Sequence, residues 1–308
     1  MGNVHEKHYK VNRINLILSA LIALCLIYIP ASFLYTRSAE KDILARTESA
    51  VLLSPRAQQE AFDAVQRLDE HRLDLEKLSD LDKAIEDERA LFFQKASLLE
   101  QMVDSGETDL KIAYLSFDDG PYNNTNQIMD VLKENGVQAT FFAIGRTSAV
   151  YDSIWPRYAA ECHTLGNHTY SHNMKSMYAS SDAFIADILK QQEYLESRTG
   201  RRTDLCRFPG GSSQAKSRKS ACVDALRENG YAYVDWNNLT GDAEGGTITK
   251  EGCISRVLDN TKNRKFLVVL MHDFSTPSLE ALPEIIQGLR DQGYVFLPMF
   301  HDSMAVKR

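Results

Sequence analysis

From residue 111 to 308, short apolar runs alternate with amphipathic stretches, and no other feature restricts the fold as strongly. Ile112–Phe117, Ala139–Ile144, Leu205–Phe208, Tyr231–Trp236, Phe266–Met271 and Tyr294–Leu297 read as buried strands. Gln127–Asn135, Phe184–Thr199, Ser217–Asn229, Lys250–Thr261 and Leu279–Gln292 carry helical spacing between them. Repetition of this kind implies parallel β-α units, in an open sheet or closed into a barrel. Such folds place their chemistry at the carboxyl ends of the strands. Polar residues cluster there: Asp118 and Asp119 after the first strand, then Arg207, Asp235, and finally His272 with Asp273.

The N-terminal third is different. From Ile14 to Thr36 there is no charged residue, and Lys7, Lys10 and Arg13 precede the run. It is long enough to cross the roughly 30 Å hydrocarbon core of a bilayer. By the positive-inside rule, residues 1–13 are cytoplasmic, 14–36 form a transmembrane signal anchor, and the remainder is extracytoplasmic. A cleaved signal peptide would have a shorter apolar core and small residues before the cut, which this run lacks. Residues 37–109 read as a helical stalk. Leu78, Ile85, Phe92 and Leu99 recur every seven residues, while Glu88 and Lys95 spoil the second position of a heptad seam. The stalk is a spacer, with self-association through it as the alternative. The catalytic part is then 110–308.

A net charge of −7 argues against nucleic acid as a partner, because phosphate contacts need a basic face. Outside the membrane, Cys162, Cys206, Cys222 and Cys253 meet a disulfide-permissive space. Three pairings are open, and proximity in sequence favours Cys206 with Cys222.

His168 and His172 stand four residues apart, about fifty residues after the Asp-Asp-Gly-Pro turn 118–121. Taken alone, that spacing is weak evidence for a metal. Two imidazoles and a carboxylate together, however, are the ligand set that holds a catalytic zinc while leaving positions open. Five runs appear in order: LSFDDGP (115–121), GNHTYSH (166–172), RFPGGSS (207–213), YVDWNNLTGD (233–242) and LMHD (270–273). This resembles the motif series of the NodB-type polysaccharide deacetylases, carbohydrate esterase family 4. The resemblance covers roughly 110–300 and none of the anchor or stalk.

The resemblance implies a distorted (β/α) barrel of about seven strands. It also implies metal-dependent removal of acetyl groups from N-acetylated sugars. By position, Asp119, His168 and His172 hold a divalent metal, with zinc expected and Co2+, Ni2+ or Mn2+ able to occupy the same donors. Asp118 matches the general base and His272 the general acid. Arg207 and Asp235 match the pair that orients them, with Asp235 as the partner keeping His272 protonated. Trp236 and Leu270 match the walls of the acetyl pocket. Gly210 stands where many members carry an aromatic residue; it keeps the N–H used for the oxyanion and loses the side-chain platform.

The chemistry agrees with these assignments. Amide hydrolysis needs a nucleophilic water, a stabilised oxyanion and a proton for the leaving amine. A bound metal acidifies water and polarises the carbonyl. Asp118, beside Arg207 and the metal, is expected to be ionised near neutral pH. No G-x-S-x-G elbow supports a serine esterase. An anchored enzyme outside the membrane meets the cell envelope, so N-acetylglucosamine of peptidoglycan is the expected glycan. Poly-N-acetylglucosamine, chitin and xylan are alternatives, as is an inactive glycan-binding module.

Overall fold

The computed structural model describes residues 91–305 and Lys307. The expected anchor, 14–36, and most of the expected stalk lie outside the described residues. Among the described residues, no helix is long and apolar enough to cross a membrane.

The sheet is built on one long strand, β1 (Lys111–Gly120), buried along nearly its whole length. The further strands are β2 (Thr140–Ala143), β3 (Thr164–Asn167), β4 (Leu205–Cys206), β5 (Ala232–Tyr233), β6 (Asn238–Leu239), β7 (Phe266–His272) and β8 (Tyr294–Phe296). They run in the order β5-β4-β3-β2-β1-β7-β6, with β8 also paired to β1. Every pairing between them is parallel. One edge of β1 is divided: Ser116–Gly120 meets β2, and Lys111–Ala113 meets β8. The barrel expected from the sequence is therefore a curled parallel sheet whose ends, β5 and β6, are not hydrogen-bonded to each other. Residues 234–237 cross from one end to the other.

Alternation along the strands sorts the side chains into two sets. Ala113, Leu115 and Phe117 of β1 join Leu267, Val269 and Met271 of β7 in the main core, under the Thr125–Glu134 and Thr276–Asp291 helices. Phe117 stacks on Phe141 with ring centroids 5.0 Å apart. Each such side chain taken from water stabilises the fold by about 1.5–3 kcal/mol. The opposite faces carry Ser116 and Asp118 in register with Leu270 and His272.

Local signals set the helix ends. Ser180 accepts from the Ala183 N–H at the start of the Ser181–Thr199 helix, and Gly200 closes it at φ 69. Ser275 caps the Thr276–Asp291 helix in the same way.

Strands β3 and β6 fall outside the apolar runs. β3 is four residues with a half-exposed start, and β6 is two, so neither is long enough to show a period. Gly166 in β3 is required by packing, since a Cβ there would lie 2.5 Å from the Phe142 ring. The favoured Cys206–Cys222 disulfide is not formed. Both are buried free thiols in a second apolar cluster with Phe184 and Phe208.

The compact unit carrying the sheet begins at Lys95, earlier than the expected boundary at 110. Residues 91–105 are helical, and Ala96, Glu100 and Val103 are buried on one face. The Tyr114 hydroxyl donates to Glu100, whose other oxygen accepts from the Met304 N–H at 3.1 Å. Lys265 Nζ donates to the Asp104 carbonyl at 2.7 Å. The end of the predicted stalk thus closes the bottom of β1. Removing the hydroxyl leaves Glu100 Oε1 buried without that donor. Tyr114→Phe is expected to cost about 1–3 kcal/mol of stability by denaturant unfolding. An unchanged midpoint would show that the contact contributes nothing.

Candidate active site

Asp118 and Asp119 are adjacent, and strict alternation would send them to opposite faces. The structure solves this with a bulge. Asp118 pairs with Phe142 and Gly120 with Ala143, so Asp119 is an extra residue, held at φ 71. Asp118 keeps the inner face while Asp119 is re-aimed toward the histidines. Gly120 must be glycine, because a Cβ would fall 2.1 Å from Asp273 Oδ2.

His168 and His172 lie in the loop after β3. Asn167 Oδ1 accepts from the Thr169 N–H at 2.9 Å, and Thr169 Oγ1 from the His172 N–H at 3.2 Å. One oxygen of Asp187 accepts from the N–H groups of Tyr170 and Ser171, at 2.6 and 2.8 Å. These bonds hold a loop in which Thr169 and His172 have φ of 69 and 50. His168 Nε2 lies 3.6 Å from Asp119 Oδ1, and His172 Nε2 lies 3.1 Å from the same oxygen. One donor atom from each of the three residues falls within 4.8 Å of the others.

The trio fits a divalent cation on its own chemistry. Asp119 Oδ1 is buried with no hydrogen-bond partner. His168 Nδ1 is 2.8 Å from the Arg207 carbonyl, a contact that needs the proton on Nδ1 and leaves Nε2 a free lone pair. Burial drives the His168 pKa down to about 3, so the ring is neutral, the form that ligates.

Arg207 is completely buried. Its Nη1 donates to Asp118 Oδ1 at 2.9 Å and to Ser116 Oγ at 2.8 Å, and its Nε to the Val234 carbonyl at 3.2 Å. The guanidinium lies over the Phe142 ring, 4.2 Å from the centroid. Arg207 and a bound metal together are the charges expected to keep Asp118 ionised. Burial is the larger effect and raises the Asp118 pKa, against the downward pull of Arg207, His272 and His172.

The partner of His272 is not Asp235. His272 Nδ1 lies 2.7 Å from Asp242 Oδ1, and the His272 N–H donates to Asp242 Oδ2 at 3.0 Å. Ser278 Oγ donates to the same carboxylate at 2.6 Å. Burial pulls the imidazolium down, but the Asp242 bond and the charges of Asp118, Asp242 and Asp119 outweigh it. The net His272 pKa is raised. Asp235 instead accepts from the Ser212 N–H and Oγ–H at 2.8 and 2.6 Å, and from Lys307 Nζ at 3.2 Å. It braces the turn that carries Gly210.

Gly210 has φ 70, and a Cβ there would meet Gln214 Cγ at 2.9 Å and Met174 Sδ at 3.3 Å. Backbone conformation and close packing both select glycine at this position. Trp236 lies beside the site, its ring 5.8 Å from the Arg207 guanidinium carbon. Leu270 shares the inner face of β7 with His272. Asn237 and Asn238 are occupied in shaping the chain. Asn237 bonds the Phe266 carbonyl and the Val268 N–H, and Asn238 the Val257 carbonyl. Asp273, buried and bonded to Thr125, is pushed up to about 7 by burial, with Asp119 and Asp118 adding to the effect.

Comparison with known proteins agrees with this geometry. The profile described as "Polysaccharide deacetylase" matches residues 105–234. A peptidoglycan-N-acetylglucosamine deacetylase of Bacillus cereus is 31% identical over 203 residues, covering 63% of this chain and 71% of the relative. The chain belongs to the polysaccharide deacetylase family. Its members are hydrolases. The catalytic domain of a peptidoglycan N-acetylglucosamine deacetylase from Eubacterium rectale superposes with a TM-score of 0.61 at 34% identity. That match covers 65% of this chain and 93% of that one. A Bacillus cereus polysaccharide deacetylase gives 0.56 at 28% identity, over 63% and 94% of the two chains.

Asp242 was not singled out from the sequence, although it ends the YVDWNNLTGD run. It has a direct test in this deacetylase. Asp242→Asn removes the charge that favours the imidazolium, so the His272 pKa falls. The basic limb of the kcat/KM–pH profile is expected to move to lower pH by about one unit or more. An unmoved limb would separate Asp242 from the protonation of His272.

Proposed function

We propose that the chain removes acetyl groups from the N-acetylglucosamine of peptidoglycan in a metal-dependent hydrolysis. One observation carries the reading. The Asp119–His168–His172 trio lies against Asp118, whose Oδ2 is 3.6 Å from His168 Nε2, and Asp118 is in register with His272. A ligand set, a base and an acid thus meet at adjoining strand ends.

Asp119, His168 and His172 would hold a divalent cation, for which we propose zinc, whose charge would acidify water and polarise the acetamide carbonyl. Asp118 takes the proton of the attacking water. Arg207, bonded to Asp118 Oδ1, fixes which oxygen is free to act. Water oxygen bonds to the carbonyl carbon. The Gly210 N–H, which has no hydrogen-bond partner among the described residues, serves the developing oxyanion. His272, kept protonated by Asp242, gives its proton to the nitrogen as the C–N bond breaks, leaving acetate and a free amine. Trp236 and Leu270 wall the acetyl methyl. Asp235 acts through the 210–212 turn.

The Bacillus cereus and Eubacterium rectale relatives, whose names specify peptidoglycan N-acetylglucosamine, support this choice of glycan. The uncharged segment 14–36, with Lys7, Lys10 and Arg13 before it, supports a membrane anchor that keeps the domain on the extracytoplasmic side. The heptad spacing of Leu78, Ile85, Phe92 and Leu99 supports a spacer, with self-association as a further role.

Acetate release from N-acetylated peptidoglycan is the test. Release is expected to stop on chelation and return with zinc. Asp118→Asn is expected to lower kcat about 10²–10⁴-fold with the cation still bound. Release that survives metal stripping, or full activity in Asp118→Asn, would overturn the mechanism.

A further inference from the structure

A ledge of side chains leads away from the acid, and the reaction as described does not use it. Phe274 lies two residues after His272, is 38% exposed, and stacks on the His272 ring with centroids 5.0 Å apart. Tyr122, which follows the Asp-Asp-Gly-Pro turn, meets Phe274 edge-on at 6.2 Å. The Arg146 guanidinium lies over the Tyr122 ring, 5.2 Å from its centroid. The backbone brings Arg146 to this place. Ile144 N–H bonds the Gly120 carbonyl at 2.9 Å and Gly145 N–H the Tyr170 carbonyl at 3.1 Å, so the end of β2 is tied to both metal-site loops. On that side a second cation, Lys190, sits 3.9 Å from the centroid of the Tyr170 ring.

Neither cation is spoken for. Among the described residues, Arg146 has no carboxylate partner, and its Nε is buried without a hydrogen bond. Lys190 has no ion-pair partner among them either. Asp187, one turn before Lys190, is turned to the Tyr170 and Ser171 amides. Two cations thus rest on aromatic rings beside the site, in a chain whose net charge is −7.

We propose that this ledge is a subsite for the glycan beyond the reacting sugar, and that it selects a carboxylate-bearing substituent. The inference rests on the deacetylase reading above and adds to it the charge of the substrate. The exposed part of Phe274, with Tyr122 beside it, offers apolar surface against which the C–H groups of a pyranose are removed from water. Arg146, stacked and with part of its fork buried, is pre-organised to bind a carboxylate through paired N–H groups. Lys190 adds charge without geometry. The aromatic side chains of the ledge come from the turns after β7 and β1, not from the 207–210 turn.

Three substrates of equal length separate the possibilities. They are an N-acetylglucosamine oligomer, an alternating N-acetylglucosamine–N-acetylmuramic acid oligomer with free lactyl carboxylates, and the same oligomer with those carboxylates converted to amides. The metal-loaded full chain is expected to prefer the free acid over the amide, and added salt to shrink that preference. In Arg146→Gln the ratio of kcat/KM for acid over amide is expected to fall about tenfold, with Arg146→Lys in between. Equal turnover of acid and amide by the parent would overturn the inference and leave the deacetylase reading standing. So would a loss in Arg146→Gln that is the same for both. A parent that releases acetate from none of the three would sink the deacetylase reading itself.

Discussion

The site is organised around one buried cation. The Arg207 guanidinium has no exposure, so it must be matched by charge and hydrogen bonds within the fold. Asp118 provides the charge, Ser116 and the Val234 carbonyl accept further bonds, and Phe142 underlies the plane. The same residue's carbonyl sets the tautomer of His168. Asp118, His168 and the chain leading to Asp235 are thereby referred to a single rigid group. A shift of Arg207 would disturb Asp118 and His168 together, which links the two roles proposed for them through one residue.

Much of this was legible in the sequence, for a definable reason. A residue at the carboxyl end of a buried strand projects into the site, and a strand of six or more apolar residues announces itself. Asp118 and His272 were legible on those grounds. The doublet Asp118–Asp119 was legible as a pair with two duties, although not how both could face inward; that needed the bulge and the left-handed backbone at Asp119. The partner of His272 was misassigned because it depends on β6. That two-residue strand pairs Asn238 with Val269 and Leu239 with Leu270, which carries Asp242 to the end of β7. Two residues have no readable period, so nothing in the sequence pattern corrected the assignment of Asp235 that the resemblance implied. Its true role, holding Ser212, depends on a tight turn built on Gly210 and Gly211 and could not be read from spacing.

The divide between stalk and domain shows a similar limit. Helical periodicity is continuous through residue 103, and nothing in it distinguishes a spacer from a helix that packs. The difference lies in Glu100, an acid on the buried face, which reads as a solvated residue until the Tyr114 hydroxyl and the Met304 amide are found around it. Burial of a polar residue is tolerated where its partners come from distant parts of the chain, and those partners are invisible to a local pattern.

The divided edge of β1 has a consequence for how the protein comes into being. The lower part of that edge is completed by Tyr294–Phe296, among the last residues of the domain to be made. The strand bearing Asp118 is among the first. Its backbone groups at Lys111–Ala113 therefore wait for nearly the whole domain before they find their partners, and contacts of such long sequence separation form slowly. Until β8 is made, the lower edge of the central strand is left open, and an open strand edge is a template for pairing with other chains.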